Sequence, residues 1–318
     1  MAQVELILGT MMCGARADEP ESRRMLAEFI AAGWTSLDTA YVYNDGASET
    51  IIGAWTAENA PAEVSIATKA HPRVTGILDA ASVRKELETS LQRLRLDSVD
   101  LFYLHQPDLN HPVEDPLEMC AELYEEGKFK RLGLSNYPAW LVEKVWYLCE
   151  KHGWPRPQVY QGMYNGITRA AEAELFPALR DLGMQFYAYN PLAGGLLTGK
   201  YNNFNTKPEA GRFAAMPFYL DRFWKESVFK ALEELEKVCY EHKIPMAHSA
   251  LRWIVHHSAL SAASGDGVIL GASTTDQLMD NLTGAQAGPL PQPVVDAYQQ
   301  AWETARCECP PYFRFYSQ

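Results

Sequence analysis

Apolar residues recur along this chain with two alternating periods. Short runs such as VELILGT from Val4, VSIATK ending at Lys69 and VDLFYLH ending at His105 are apolar almost throughout. The stretches between them space apolar residues three and four apart: Met25, Leu26, Phe29 and Ile30 in one, Val83, Leu87, Leu91 and Leu94 in another. The first pattern is that of strands buried on both faces, the second that of amphipathic helices. Strands are predicted at VELILGT, TSLDTA, VSIATK, VDLFYLH, KRLGLSN, QVYQ, MQFYAYN and VILGAS. Helices are predicted over about 19–32, 47–58, 80–93, 116–126, 139–151 and 171–182. After the seventh strand the rhythm breaks. A segment rich in Gly, Asn and Pro covers about 191–222, and helices over about 227–242 and 246–257 precede the eighth strand. Helices over about 275–285 and 292–305 and a tail, CECPPYFRFYSQ, close the chain.

Eight strand–helix units with continuously apolar strands predict an α/β fold, a (β/α)8 TIM barrel, with residues 1–318 as one domain. A doubly wound open sheet is the alternative. Its glycine fingerprint after the first strand, G-x-G-x-x-G, is replaced here by GTMMCGARAD. The segment after strand seven is too long for a plain connection and is read as a functional loop.

Composition adds exclusions. The 318 residues are 47% hydrophobic and 21% charged, an ordinary globular balance. A net charge of −12 without a basic run argues against a general nucleic-acid binder. No apolar run reaches the ~18 residues of a membrane span. The start, MAQVELILGTMMCG, lacks the pattern of a signal peptide. Six scattered cysteines without a CxxC fit free thiols in a reducing, cytoplasmic setting. Cys307 and Cys309 form a C-x-C without companion ligands, and no metal site is expected.

The candidate chemistry starts at SLDTAYVYNDGASE, residues 36–49. Asp38 falls at a strand end and Tyr43 in the loop beyond it. The plainer reading is a turn at Asn44-Asp45-Gly46 with a surface tyrosine. Lys69 and His105, however, end the next two strands, and in a barrel all carboxyl ends open on one face. A free phenol has a pKa near ~10 and donates poorly at neutral pH. An ammonium beside it favours the phenolate and lowers that value. Lys69 can supply the ammonium, Asp38 can hold Lys69 charged, and His105 can hydrogen-bond a carbonyl. The set suits protonation of an oxygen as hydride reaches the adjoining carbon.

LDTAYVY, ATK and YLHQP resemble, in order and spacing, the tetrad motifs of the aldo-keto reductases. GLSN, QVYQ and YNPLAGGLLTGKY resemble that family's cofactor segments, and the likeness spans nearly the whole chain. GTMMCG, DRFWKE and ECPPYFR are similar to the aflatoxin-aldehyde and succinic-semialdehyde reductase branch. The resemblance implies an NADPH-dependent aldehyde reductase, with Tyr43 as proton donor supported by Asp38, Lys69 and His105. It implies cofactor contacts from Met11, Asp38, Ser135, Asn136, Gln161, Tyr189, Asn190, Leu192, Gly194, Lys200, Arg212, Gly271, Ser273, Gln277 and Asn281. In many members an arginine near Gln277 pairs with the 2′-phosphate of NADPH. Here the run is STTDQLMDN, which leaves that charge to Lys200 or Arg212. Many members also carry a β-hairpin before the first strand, and only three residues precede it here.

On the substrate side the resemblance implies His105, Tyr219, Arg222 and Arg314, the arginines pairing with the carboxylate of an acidic aldehyde. The expected partner is therefore a small aldehyde, with a homodimer admitted and neither nucleic acid nor membrane expected. Two other readings compete: a Schiff-base lyase using Lys69, and a non-catalytic NADPH-binding regulatory subunit on the same barrel. GGLLTGKY imitates a P-loop, but Tyr201 stands where magnesium needs a hydroxyl.

Overall fold

Burying both faces of every strand requires helices outside and a packed interior inside. The computed structural model describes residues 4–61, 63–209 and 211–316; the expectation about what precedes the first strand falls on residues outside these. The strands are β1 Glu5–Gly9, β2 Ser36–Asp38, β3 Ser65–Ala70, β4 Val99–Leu104, β5 Phe129–Ser135, β6 Pro157–Met163, β7 Gln185–Tyr189 and β8 Gly267–Gly271. Each pairs in parallel with the next, and β8 returns to β1, which closes the barrel. The chain is a (β/α)8 barrel.

The helices are α1 Glu19–Ala31, α2 Ala47–Asn59, α3 Ala80–Leu94, α4 Glu114–Glu125, α5 Ala139–His152 and α6 Leu175–Asp181. The segment after β7 holds two short ones, α7 Arg212–Ala215 and α8 Phe218–Phe223. Then come α9 Glu226–Glu241, α10 Met246–His256, α11 Thr275–Gln286 and α12 Gln292–Ala305. Among the described residues no helix is long and apolar enough to cross a membrane.

Helix α6 starts four residues later than its periodicity suggests. Pro177 has no N–H and its ring would crowd the carbonyl four residues back, so it is confined to a first turn. The helix accordingly opens at Leu175, and a 3-10 turn, Ala170–Glu172, fills the space before it.

Inside the barrel one cluster joins Ile7, Ala67, Leu101, Tyr103, Val159, Tyr187 and Ile269. It is the floor beneath the strand ends. Tyr103 fits there because Gly133 on β5 faces it: a Cβ at 133 would come 2.4 Å from Tyr103 Cδ1. The opposite faces of the strands pack on the helices through the larger core. At roughly 1.5–3 kcal/mol for each buried Val, Leu, Ile or Phe side chain, these two layers hold the strand ends in fixed register.

Candidate active site

The carboxyl ends of the strands open onto one cleft of ≈ 780 Å³. Asp38 is the last residue of β2, and Lys69 is the last but one of β3. Both sides of this pair are withdrawn from water, at 2% and 0% exposure. The Lys69 ammonium donates to Asp38 Oδ1 at 2.6 Å and to the Thr39 carbonyl. Asp38 Oδ2 accepts from Gln161 Nε2 at 2.8 Å. The ammonium also lies 5.2 Å from the ring centre of Tyr43 and 5.5 Å from that of Tyr103. Burial pushes the Lys69 pKa down, and the Asp38 charge opposes that. Lys69 does not reach the cleft wall; Asp38 does.

Tyr43 opens a 3-10 turn, Tyr43–Gly46, whose Asn44 and Asp45 are left-handed at φ 52° and 53°. Asn44 tolerates that conformation and uses it: Nδ2 donates to the carbonyls of Met11 and Cys13 at 2.9 and 2.7 Å. Gly46, at φ 88°, lies against Arg93, where a Cβ would sit 2.3 Å from Cζ. Arg93 in turn donates to the Tyr41 carbonyl at 3.2 Å and to Glu49 at 3.0 Å. The predicted turn is thus clamped on both sides, and it aims Tyr43 into the cleft.

The Tyr43 ring lies 6.1 Å from His105, edge to face. Burial, reinforced by the Asp38 charge, pushes the Tyr43 phenol well above its ordinary value. The expected net lowering by Lys69 is not the outcome. The ammonium charge is matched by Asp38 at 2.6 Å, and dehydration of the phenolate outweighs what remains. The phenol is therefore held protonated. His105 moves the other way: burial, then His71 and Lys69, hold it well below its usual value, so the ring is neutral. Its Nδ1 is buried without a hydrogen-bond partner among the described residues.

A second wall follows from β5, β6 and β7. Asn136, left-handed at φ 62°, donates through Nδ2 to the His105 carbonyl and to Ser135 Oγ, both at 2.9 Å. Its Oδ1 accepts from the Tyr189 hydroxyl at 2.8 Å. Ser135 is buried behind Asn136 and does not reach the cleft, whereas Asn136, Gln161 and Tyr189 do. Asn190 Oδ1 accepts from Tyr219 Oη at 3.2 Å and from Arg212 Nη1 at 3.4 Å, and its Nδ2 is buried without a partner among the described residues. Gly194, at φ 69°, lets the chain pass under Tyr219, since a Cβ there would meet Cδ1 at 2.8 Å.

Met11, Leu192, Gly194, Lys200, Gly271, Ser273, Gln277 and Asn281 all line the cleft. Ser273 Oγ donates to Gln277 Oε1 at 2.9 Å, and Asn281 Nδ2 to the Gly271 carbonyl at 3.4 Å. Arg212 arches between the ends of β7 and β8: its Cζ lies 5.3 Å from the Tyr219 ring, and Nη2 would be 3.8 Å from a Cβ at Gly271. Phe213, fully buried next to it, anchors α7 in this pose.

At the far end, Arg222 and Arg314 lie 5.4 Å from the same Phe218 ring, and Arg222 lies 5.7 Å from Tyr219. The Arg314 N–H donates to the Asn136 carbonyl at 2.9 Å, which ties the tail to the rim. Sequence reasoning missed Arg16, His71, Arg73, Gln106 and Phe218, all of which line the cleft. His71 and Arg73 follow ATKA directly, so the strand-end rule that found Lys69 could have found them. Arg16 carried no comparable signal. Glu21 accepts a hydrogen bond from the Thr275 N–H, which draws the loop carrying Arg16 to the start of α11.

Comparison with known proteins accords with this geometry. The family model described as Aldo/keto reductase family matches residues 5–303. The chain is 50% identical to aflatoxin B1 aldehyde reductase member 2 of Homo sapiens, over 98% of this chain and 90% of that protein. It is 48% identical to aldo-keto reductase family 7 member A3 of Homo sapiens, over 98% of each. It is 48% identical to aflatoxin B1 aldehyde reductase member 2 of Mus musculus, over 97% of this chain and 87% of that protein.

Proposed function

This chain belongs to the aldo/keto reductase family, and from that premise we propose that it reduces aldehydes to alcohols with NADPH, Tyr43 giving the proton. The observation that carries the proposal is the buried Lys69–Asp38 pair set directly beneath Tyr43 and His105. A reduced nicotinamide supplies hydride when bound. Asn136 and Gln161 present carboxamides to that wall of the cleft, Tyr189 presents a ring, and Asn190 Nδ2, without a partner among the described residues, offers a donor. This donor set fits a nicotinamide amide and the phosphates behind it.

A carbonyl oxygen placed between Tyr43 and His105 meets a protonated phenol and a neutral imidazole. As hydride reaches the carbon, that oxygen becomes an alkoxide, a stronger base than a phenolate. Tyr43 is placed to give that oxygen its proton, and the Lys69 ammonium 5.2 Å from its ring offsets part of the cost of the phenolate left behind. The pairing of Lys69 with Asp38 keeps that ammonium charged in a dry site. It also removes Lys69 from the cleft wall, which disfavours the Schiff-base reading.

NADPH is preferred to NADH in this reading because the cleft carries Arg16, Lys200 and Arg212 for its phosphates. Arg212 sits between the strand ends and suits the pyrophosphate. Arg16, which lines the same cleft as Ser273 and Gln277, would be available to the 2′-phosphate. Arg222 and Arg314 would hold the carboxylate of an acidic aldehyde, with Tyr219 beside them. The test is absorbance of NADPH mixed with the protein and 2-carboxybenzaldehyde. Oxidation of NADPH supports the reductase. Trapping of a lysine adduct by borohydride would instead mark a lyase, and NADPH binding without turnover a binding subunit.

A further inference from the structure

The far end of the cleft carries a third arginine. The loop from β3 to α3 begins Ala70-His71-Pro72-Arg73, and His71 and Arg73 both line the cleft. This turn is firmly built. The His71 N–H donates to the buried Glu86 Oε2 at 2.9 Å, and the Arg73 N–H donates to His71 Nδ1 at 3.0 Å. The Val74 N–H closes the turn onto the His71 carbonyl at 3.1 Å. With Nδ1 accepting, the ring proton of neutral His71 is assigned to Nε2. The His71 ring stands 4.9 Å from His105, and Arg73 leaves this fixed turn toward Arg314.

Arg73, Arg222 and Arg314 thus share one end of one cleft. Arg222 and Arg314 stack on a single phenyl ring, and the Arg314 pKa is lowered by burial first and then by the charges of Arg222 and Arg73. Among the described residues none of the three has a carboxylate partner, although the chain carries a net charge of −12. Crowded like charges repel, and a ligand bringing negative charge relieves that cost. A single carboxylate occupies one guanidinium fork, or shares itself between two. Three forks exceed what it can satisfy.

We infer that this end is shaped for an aldehyde with a dianionic far end, two carboxylates or a phosphate ester, and that Arg73 takes the second charge. The inference rests on the reading of the cleft as that of an aldehyde reductase. His71 supports it by presenting a neutral ring that adds no positive charge.

The experiment compares three benzaldehydes with the NADPH-loaded protein: 4-nitrobenzaldehyde, 4-carboxybenzaldehyde and 5-formylisophthalate. Wild type should show kcat/KM rising from the neutral to the singly and then the doubly charged substrate. Arg73→Gln should lower kcat/KM for 5-formylisophthalate about fivefold to tenfold through KM, and change 4-carboxybenzaldehyde less than about twofold. Arg73→Lys should restore part of the loss, and added salt should shrink the difference. Equal effects on both acids, or none on either, overturn the inference. Should 4-carboxybenzaldehyde respond to Arg222→Ala while Arg73→Gln spares the dianion, only the third-arginine inference falls. Should wild type reduce no aldehyde, the reductase reading falls with it.

Discussion

At the reacting end of the cleft, Lys69 is wholly buried and its ammonium is fixed by Asp38, the Thr39 carbonyl and two tyrosine rings. At the far end, Arg73 and Arg314 are exposed, Arg222 is half-buried, and none of the three has a carboxylate partner among the described residues. The first charge is balanced inside the protein; the second set awaits balance from outside. Asp38 and Lys69 ride on strands held by the barrel floor, with Tyr43 and His105 just beyond strand ends, whereas the arginines ride on three separate segments. The contrast suits the two tasks proposed for the cleft: one fixed acid–base step, and an adjustable grip on what carries the aldehyde.

The sharpest way to break the contrast is at the proposed proton donor. Tyr43→Phe should cut kcat by roughly 10²–10⁴-fold while leaving NADPH affinity nearly intact, because only the proton is lost. Stopped-flow rates and fluorescence titration of NADPH separate the two effects.

Breaking the internal balance comes next. Lys69→Met leaves Asp38 as an unpaired buried charge and should cost about 3–5 kcal/mol of stability in urea unfolding as well as most of the rate. The double variant Lys69→Met/Asp38→Asn should recover stability without recovering rate. Recovery of both would deny Lys69 a part in the chemistry.

At the far end the effects should be smaller and selective. Arg222→Ala or Arg314→Ala should raise KM for succinic semialdehyde or 2-carboxybenzaldehyde about threefold to tenfold and spare 4-nitrobenzaldehyde. Steady-state kinetics with the three substrates decide it. If acidic and neutral aldehydes respond alike, the arginines do not read charge.

Two milder changes sharpen the picture. Tyr103 forms one of the two ring faces on Lys69 and is packed against Gly133. Tyr103→Phe keeps the ring and should keep the pH profile. Tyr103→Leu should move the alkaline limb of kcat down by up to about one unit, as a cation–π contact in a dry site is lost. An unshifted limb would make Tyr103 packing alone. The histidines make stability depend on pH on the acid side. The His71 pKa is pushed down to about 4, by burial first, and His105 lies well below its ordinary value. As pH falls below the unfolded value of ~6.5, the unfolded chain takes up protons that the folded one refuses, so stability declines through that window. His71→Asn should flatten the decline in urea midpoints measured between pH 7 and 5.

The same contrast explains what could be read beforehand. Asp38, Lys69 and His105 were legible because apolar strands end abruptly in polar residues, and one barrel rim collects all such ends. Gln161 and Tyr189 also lie near strand ends, but it was the resemblance to the aldo-keto reductases that implied them as cofactor contacts. Helix α6 was misplaced at its start because Pro177 acts through backbone geometry, which apolar periodicity ignores. Arg73 and Phe218 were missed because loop residues gain meaning only when separate segments meet. The raised Tyr43 pKa was missed for another reason: pairwise charge arguments see Lys69, but not the dehydration that outweighs it.

The most direct test of the proposed chemistry is a single-turnover reaction of the NADPH-loaded protein with 2-carboxybenzaldehyde, run beside its Tyr43→Phe variant. The proposal predicts rapid NADPH oxidation and 2-carboxybenzyl alcohol from the wild type. It predicts oxidation slower by at least about 100-fold from a variant that still binds NADPH. Equal rates from the two proteins would contradict it.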